Sequence, residues 1–297
     1  IVHVPFGKAS FDPDKLKALF STFDGSSFLN DDSIWVIQSY DTVNTIDYAL
    51  SATVWNHGIT GTGQIVCMMD TGANPEMCQL RYDGTAGSVA TAQSPAPPGT
   101  GTVDLSKKVI AYYVEPGAAA YDESGADFHG SHVSGVILGD NYATLSTPSS
   151  GGHDFGDGMA PNAQLVIQDI SGSSGDLALL GDMSLQFGQA YNAGARIHSD
   201  SWGTHNSLYD PFTMYFDDFV YGHEDFLFVV GNGNWAAGMA DGSVGSPATG
   251  KNVVGVGATS NGNNFGADVL MYFSSRGPTD DGRLKPDLCA PGANINS

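Results

Sequence analysis

Four short segments carry the side chains able to do chemistry: Asp70-Thr71-Gly72, His129-Gly130-Ser131-His132-Val133, Ser201-Trp202-Gly203 and Gly231-Asn232-Gly233-Asn234. An aspartate and a histidine far apart in sequence suit nucleophilic catalysis: the imidazole takes the proton of an attacking hydroxyl while the carboxylate orients the ring. An asparagine directly after an apolar run can aim its amide at the oxyanion that such an attack creates. Asn232 holds that place, with Asn234 as its close competitor. Two other chemistries use the same residue types. Asp-Thr-Gly behind an apolar run also suits paired carboxylates sharing a proton, but no second Asp-Thr-Gly or Asp-Ser-Gly occurs in residues 1–297. His129 and His132 have a spacing seen in zinc sites, yet no Glu follows His129 and no third ligand is placed.

Groups so far apart in sequence meet only if strands end side by side. Apolar runs at 64–69, 109–114, 165–170, 196–199, 226–230 and 253–258 read as strands. Helical patterns lie at 45–56, 132–138 and 177–193, and 215–221 falls within another helix. Strands alternating with helices at these distances predict a three-layer α/β fold, a doubly wound and mostly parallel sheet covered on both faces. In such a sheet reactive groups collect at the carboxyl ends of the strands, where Asp70 and Asn232 fall. Ahead of this domain, residues 1–45 read as a small βαβ unit. It has a strand at 1–4, a helix at 12–20 with Asp12 as N-cap and Pro13 at its first position, and a strand at 33–40. The domains predicted are therefore 1–45 and 46–297. The Pro/Gly/Ser/Ala text at 85–102 reads as an exposed loop.

Bulk properties narrow the partners. Lys and Arg number 11 against 32 Asp and Glu, a formal charge of -21. Such a surface repels phosphate backbones and anionic lipid, so neither a nucleic acid nor a membrane partner is expected. Low charged content (14%), 39 glycines and 41% hydrophobic residues fit a loop-rich, folded, secreted hydrolase rather than a disordered chain. No apolar stretch reaches the roughly 18 residues that span a bilayer. Cys67, Cys78 and Cys289 are odd in number, which leaves at least one thiol free or paired outside residues 1–297. Cys67 and Cys289 sit in apolar strand text and read as small buried hydrophobes, with a Cys67–Cys78 bridge left open.

Longer segments resemble one family. His129-Gly130-Ser131-His132-Val133-Ser134-Gly135 is similar to the subtilase His-Gly-Thr-His-Val-Ala-Gly box. Gly158-Met159-Ala160-Pro161-Asn162-Ala163, Ser246-Pro247-Ala248-Thr249, Lys251 to Thr259 and Phe273-Ser274-Ser275-Arg276-Gly277-Pro278 resemble further subtilase segments, in order. The text at 192–203 and 273–292 looks most like the oxidatively stable alkaline branch of these serine proteases. The resemblance implies a secreted serine endopeptidase acting on protein or peptide substrates, with an inactive pseudoprotease scaffold as the alternative. It makes His129 the general base, Asp70 its orienting carboxylate, and Asn232 the oxyanion donor. Ser201, Trp202 and Gly203 become the strand that holds the substrate, with His132 a packed neighbour. The nucleophilic serine of the family follows an Ala-Pro-Gly box such as Ala290-Pro291-Gly292, so it is expected outside this chain, on a continuing or companion C-terminal segment. Ser201, Ser274 and Ser275 do not sit in a small-residue turn into a helix and are not expected to replace it. Residues 1–297 alone are expected to be inactive, and 1–45 to be a propeptide-like remnant or an N-terminal arm. No cofactor is expected to be required. Structural calcium is the one ion the resemblance suggests, with Asp154, Asp157, Asp280 and Asp281 as loop carboxylates that could hold it, or else simply a solvated acidic surface.

Overall fold

The fold is taken from a computed structural model, which describes residues 53–75, 77–80, 103–119, 128–140, 156–172, 177–178, 182–237, 241–261, 269–293 and 295. The N-terminal unit at 1–45, most of the helix read at 45–56 and the loop at 85–102 lie outside these residues.

Among the described residues there are seven strands, β1 (Ile65–Asp70), β2 (Val109–Val114), β3 (Gln164–Asp169), β4 (Ile197–Asp200), β5 (Leu227–Gly231), β6 (Val254–Thr259) and β7 (Leu288–Pro291). They form one sheet in the order β2-β3-β1-β4-β5-β6-β7, every neighbouring pair parallel. The helices are α1 (Thr53–Asn56), α2 (His129–Leu138), α3 (Ser184–Asn192) and α4 (Pro211–Gly222).

Sequence explains why the sheet is covered twice. Each residue of β1 except Ile65 is buried, as a strand with helices on both faces requires. Its alternate side chains divide between two cores. Cys67 and Met69 join Phe187, Phe216 and Phe228, whereas Val66 and Met68 join Val133, Ile137 and Leu138 of α2. The first core is built on aromatic edges. Phe187 lies 4.7 Å from both Phe216 and Phe228, and those two rings are 4.5 Å apart, centroid to centroid. Pairs of this kind add about 0.5–1.5 kcal/mol beyond the area they bury.

The limits of β1 to β6 agree with the sequence reading to about one residue, but β7 was not among the strands read and two helix starts differ. Instead of running from 177, α3 begins at Ser184. Leu177 is drawn into an antiparallel bridge with Ser171, and the Asp182 carboxylate accepts the Ser184 N–H at 2.9 Å. Helix α2 begins at His129 rather than 132, with the N–H of its second residue, Gly130, taken by the turn after β1 (below). Cys67 is a free buried thiol, so no Cys67–Cys78 bridge forms, and Cys289 is free and half-buried. Among the described residues no helix is long and apolar enough to cross a membrane.

Candidate active site

Asp70 ends β1 and His129 begins α2, and the two join at a short contact: His129 Nδ1 lies 2.6 Å from Asp70 Oδ1. The Asp70 side chain is 2% exposed and that of His129 13%. Oδ1 also accepts the Thr71 N–H at 2.7 Å, while Oδ2 is buried without a hydrogen-bond partner among the described residues. A carboxylate held from its own backbone is a fixed acceptor, which settles the ring's orientation.

Backbone packing brings α2 to this point. The Thr71 hydroxyl accepts the Gly130 N–H at 2.9 Å, taking the place of a local N-cap that Phe128 cannot supply. Phe128 itself sits in the left-handed region at φ 58°. A Cβ on Gly130 would stand 1.8 Å from the Gly72 carbonyl oxygen, so turn and helix meet main chain to main chain. Gly72, at φ +83°, is pressed on its other side by Asp169 and by Tyr112, whose hydroxyl donates to that carboxylate at 2.8 Å. His132 turns elsewhere, its Nε2 lying 2.8 Å from the Ile295 carbonyl. The two histidines therefore serve separate partners, and the ring that Asp70 meets is a histidine rather than a second carboxylate.

Beyond β4 and β5 the chain lines a cavity of about 200 Å³. Ser201, Trp202 and Gly203 form one wall, Gly231, Asn232, Gly233, Asn234 and Trp235 another, and Val256 and Ala258 of β6 complete it. No charged side chain contributes to this lining. Trp202 is anchored to β1 by donating Nε1–H to the Met69 carbonyl at 3.0 Å, which ties the second segment to the strand bearing Asp70. Gly203 makes a close approach: a Cβ there would lie 2.7 Å from the Ser246 carbonyl, which accepts the Thr204 N–H. Asn232 is buried, and Nδ2 donates to the Ser275 carbonyl at 3.0 Å. A carbonyl only accepts, so this bond fixes which amide atom is nitrogen and leaves a second N–H on the same atom. Asn234 is exposed.

Ser274 and Ser275 are buried and engaged, accepting the backbone N–H groups of Ala258 at 2.9 Å and Trp235 at 3.0 Å. Asp281 is bonded to Arg283 and Thr279, which hold its carboxyl down to about 2; Asp157 is buried and Asp280 exposed. Asp154 lies outside the described residues, and among those described no group of three His, Cys, Asp or Glu could hold a metal ion.

Sequence reasoning passed over Trp235 in the cavity lining, the Thr71 hydroxyl that caps α2 and, behind the site, Asp200 with its partner His198. The only signal for the last pair was two ionisable residues in text that reads as a buried strand.

A parallel sheet with helices on both faces, a buried aspartate joined to a half-buried histidine at its carboxyl edge, and an anchored asparagine beyond β5 together define an α/β protein whose site is suited to activating a hydroxyl. The family model described as Subtilase family (Peptidase_S8) matches residues 61–297, and the chain belongs to that family. The serine protease AprX of Bacillus subtilis is 27% identical over 278 residues, covering 86% of this chain and 52% of AprX. The serine protease/ABC transporter B family protein tagD of Dictyostelium discoideum is 27% identical over 320 residues, covering 80% of this chain and 16% of that protein. This chain thus spans about half or less of these relatives. Among solved structures, the CspB protease of Clostridium perfringens superposes with a TM-score of 0.61 at 15% identity, covering 87% of this chain and 80% of CspB. That likeness speaks for the fold.

Proposed function

We propose that this subtilase domain hydrolyses peptide bonds as a secreted serine endopeptidase, through a triad of Asp70, His129 and a serine located outside residues 1–297. The observation that carries the reading is the 2.6 Å contact between His129 Nδ1 and the buried Asp70 carboxylate. With Nδ1–H committed to Asp70, Nε2 is the nitrogen that takes the serine's proton as the hydroxyl attacks the scissile carbonyl. Asp70 stabilises the imidazolium so formed, and His129 returns that proton to the leaving amine. The free N–H of Asn232 is the donor for the tetrahedral oxyanion, and Ser201, Trp202 and Gly203 accept the substrate backbone as an added strand. The uncharged lining of the cavity beside them suits the side chain of a protein or peptide substrate.

Commitment of Ser274 and Ser275 to backbone N–H groups supports a nucleophile from elsewhere. Residues 1–297 alone then give no turnover, and a continuing or companion segment bearing the serine completes the site. Residues 1–45 are read as a propeptide-like remnant, which would make the intact protein a zymogen, or else as an N-terminal arm. In a serine-bearing full-length form, His129→Ala and Asp70→Asn each collapse kcat with little change in substrate affinity. Wild-type turnover in either variant overturns the assignment.

A further inference from the structure

On the α3/α4 face of the sheet, behind the catalytic edge, lies a polar cluster that the proposed chemistry does not use. His198 and Asp200 of β4 are fully buried, with His198 Nδ1 2.9 Å from Asp200 Oδ2. The other ring nitrogen, Nε2, lies 3.0 Å from Gln168 Oε1. The rings of Phe187, Phe226 and Phe228 stand 5.0–5.9 Å from the imidazole, centroid to centroid.

Donor and acceptor chemistry determines the hydrogens here. Gln168 Nε2 donates to the Gln186 carbonyl at 2.6 Å and to Gln189 Oε1 at 3.1 Å. A backbone carbonyl only accepts, so the amide cannot be reversed, and Oε1 is the atom that faces both His198 and the Cys67 thiol. His198 Nε2 must therefore carry a hydrogen. In a ring with one hydrogen Nδ1 would then be a bare lone pair facing a carboxylate, which is repulsive. One further proton must lie on the Nδ1–Oδ2 line. Whether imidazolium with carboxylate or imidazole with carboxylic acid, the couple has no net charge.

We propose that this charge-neutral His198–Asp200 couple, braced by Gln168, is a positioning unit that fixes the carboxyl end of β4 and with it the substrate segment Ser201–Gly203. Asp200 is in register with Met69 of β1 and Val230 of β5, between the strand that ends in Asp70 and the strand that Asn232 follows, and immediately precedes Ser201. A bare carboxylate buried here would be costly. Burial, and to a lesser degree the charge of Asp70, push the Asp200 carboxyl up against the opposing pull of His198. The other titratable groups facing it include Cys67, whose thiol is pushed well up by burial and by the charges of Asp200 and Glu115.

The effect on substrate rests on the protease reading; the proton count does not. In side-chain NMR of the 297-residue chain with 15N-labelled histidine, at pH 7.5, His198 is expected to show a hydrogen on Nε2 and a second, exchange-protected one on the Nδ1–Asp200 line. A hydrogen on Nδ1 with none on Nε2, or no protected proton on the Nδ1–Oδ2 line, overturns the proposal. In the serine-bearing full-length protein, Asp200→Ala raises KM for an extended peptide about tenfold with kcat nearly held. Asp200→Asn, whose amide can donate to Nδ1, restores KM to within about twofold. Wild-type KM in a folded Ala variant, or an Asn variant as impaired as Ala, refutes positioning. If Asp200→Ala does not fold, the Asn variant decides: KM near wild type supports the unit, KM raised tenfold overturns it. If no full-length form cleaves peptide, the protease reading fails while NMR still decides the couple.

Discussion

Substituting Gly130 by Ala perturbs the site through geometry alone, without touching a reactive atom. The added Cβ would sit 1.8 Å from the Gly72 carbonyl oxygen, where real contacts are essentially never below 3.0 Å, so the start of α2 must retreat from the Asp-Thr-Gly turn by about 1.2 Å. Overpacking of this kind typically costs about 1–3 kcal/mol of stability. His129 is the adjacent residue and rides on the same turn, and its 2.6 Å bond to Asp70 cannot follow a shift of that size and remain a hydrogen bond. Misplacing a catalytic group by about 1 Å can cost about 10²-fold in rate. Two assays separate the effects: urea unfolding of the 297-residue chain, and peptide hydrolysis by the serine-bearing full-length protein. We expect a lower unfolding midpoint and kcat down by about 10²-fold, with KM little changed. A Gly130→Ala protein with wild-type midpoint and wild-type kcat would refute the reasoning, since it would mean the helix does not lean on the turn.

Gly188→Ala is the contrasting case: it lies inside α3 with nothing within 4 Å of an added Cβ, so urea unfolding should show a gain of about 0.5–1 kcal/mol, and a loss would contradict the packing. Asn232→Ala should lower kcat by about 10²–10³-fold in steady-state kinetics, the usual effect of losing one oxyanion donor; the same effect from Asn234→Ala instead would reverse the choice between them. Glu115 is buried with Oε1 unpartnered among the described residues, and burial pushes its carboxyl up to about 7 from 4.5. The folded state therefore holds a proton that the unfolded chain releases, and this contribution to stability is lost as pH rises from about 4.5 through about 7. Glu115→Gln should accordingly gain over wild type between pH 5 and pH 8 in urea unfolding, whereas an unchanged difference would contradict the burial of that charge.

Much of the fold was legible because its signals are local. The apolar run of β1 ending in Asp70, the run of β5 ending before Asn232, and the helical text at 215–221 within α4 all declare themselves within a few residues. The start of α4 was not read: Asp210 caps it through the Thr213 N–H, ahead of Pro211. The starts of α2 and α3 were harder to read because tertiary contacts decide them: the Thr71 hydroxyl reaches Gly130 across 59 positions, and Leu177 pairs with Ser171 instead of joining the helix. The Asp70–His129 contact was anticipated from residue types and order. The His198–Asp200–Gln168 cluster was not, since its logic rests on an amide orientation set by Gln186 and Gln189 on α3. Trp235 escaped for a similar reason: its ring packs over Gly233 and Gly245, and only the folded loop brings those glycines together.

The central claim is that Asp70 and His129 activate a serine. Labelling the full-length protein with a fluorophosphonate probe tests it most directly, with peptide hydrolysis followed in parallel. The account predicts modification of a single serine outside residues 1–297, loss of hydrolysis in step with labelling, and loss of both in His129→Ala. Hydrolysis that continues with no serine labelled, or that stops on addition of pepstatin, would contradict it.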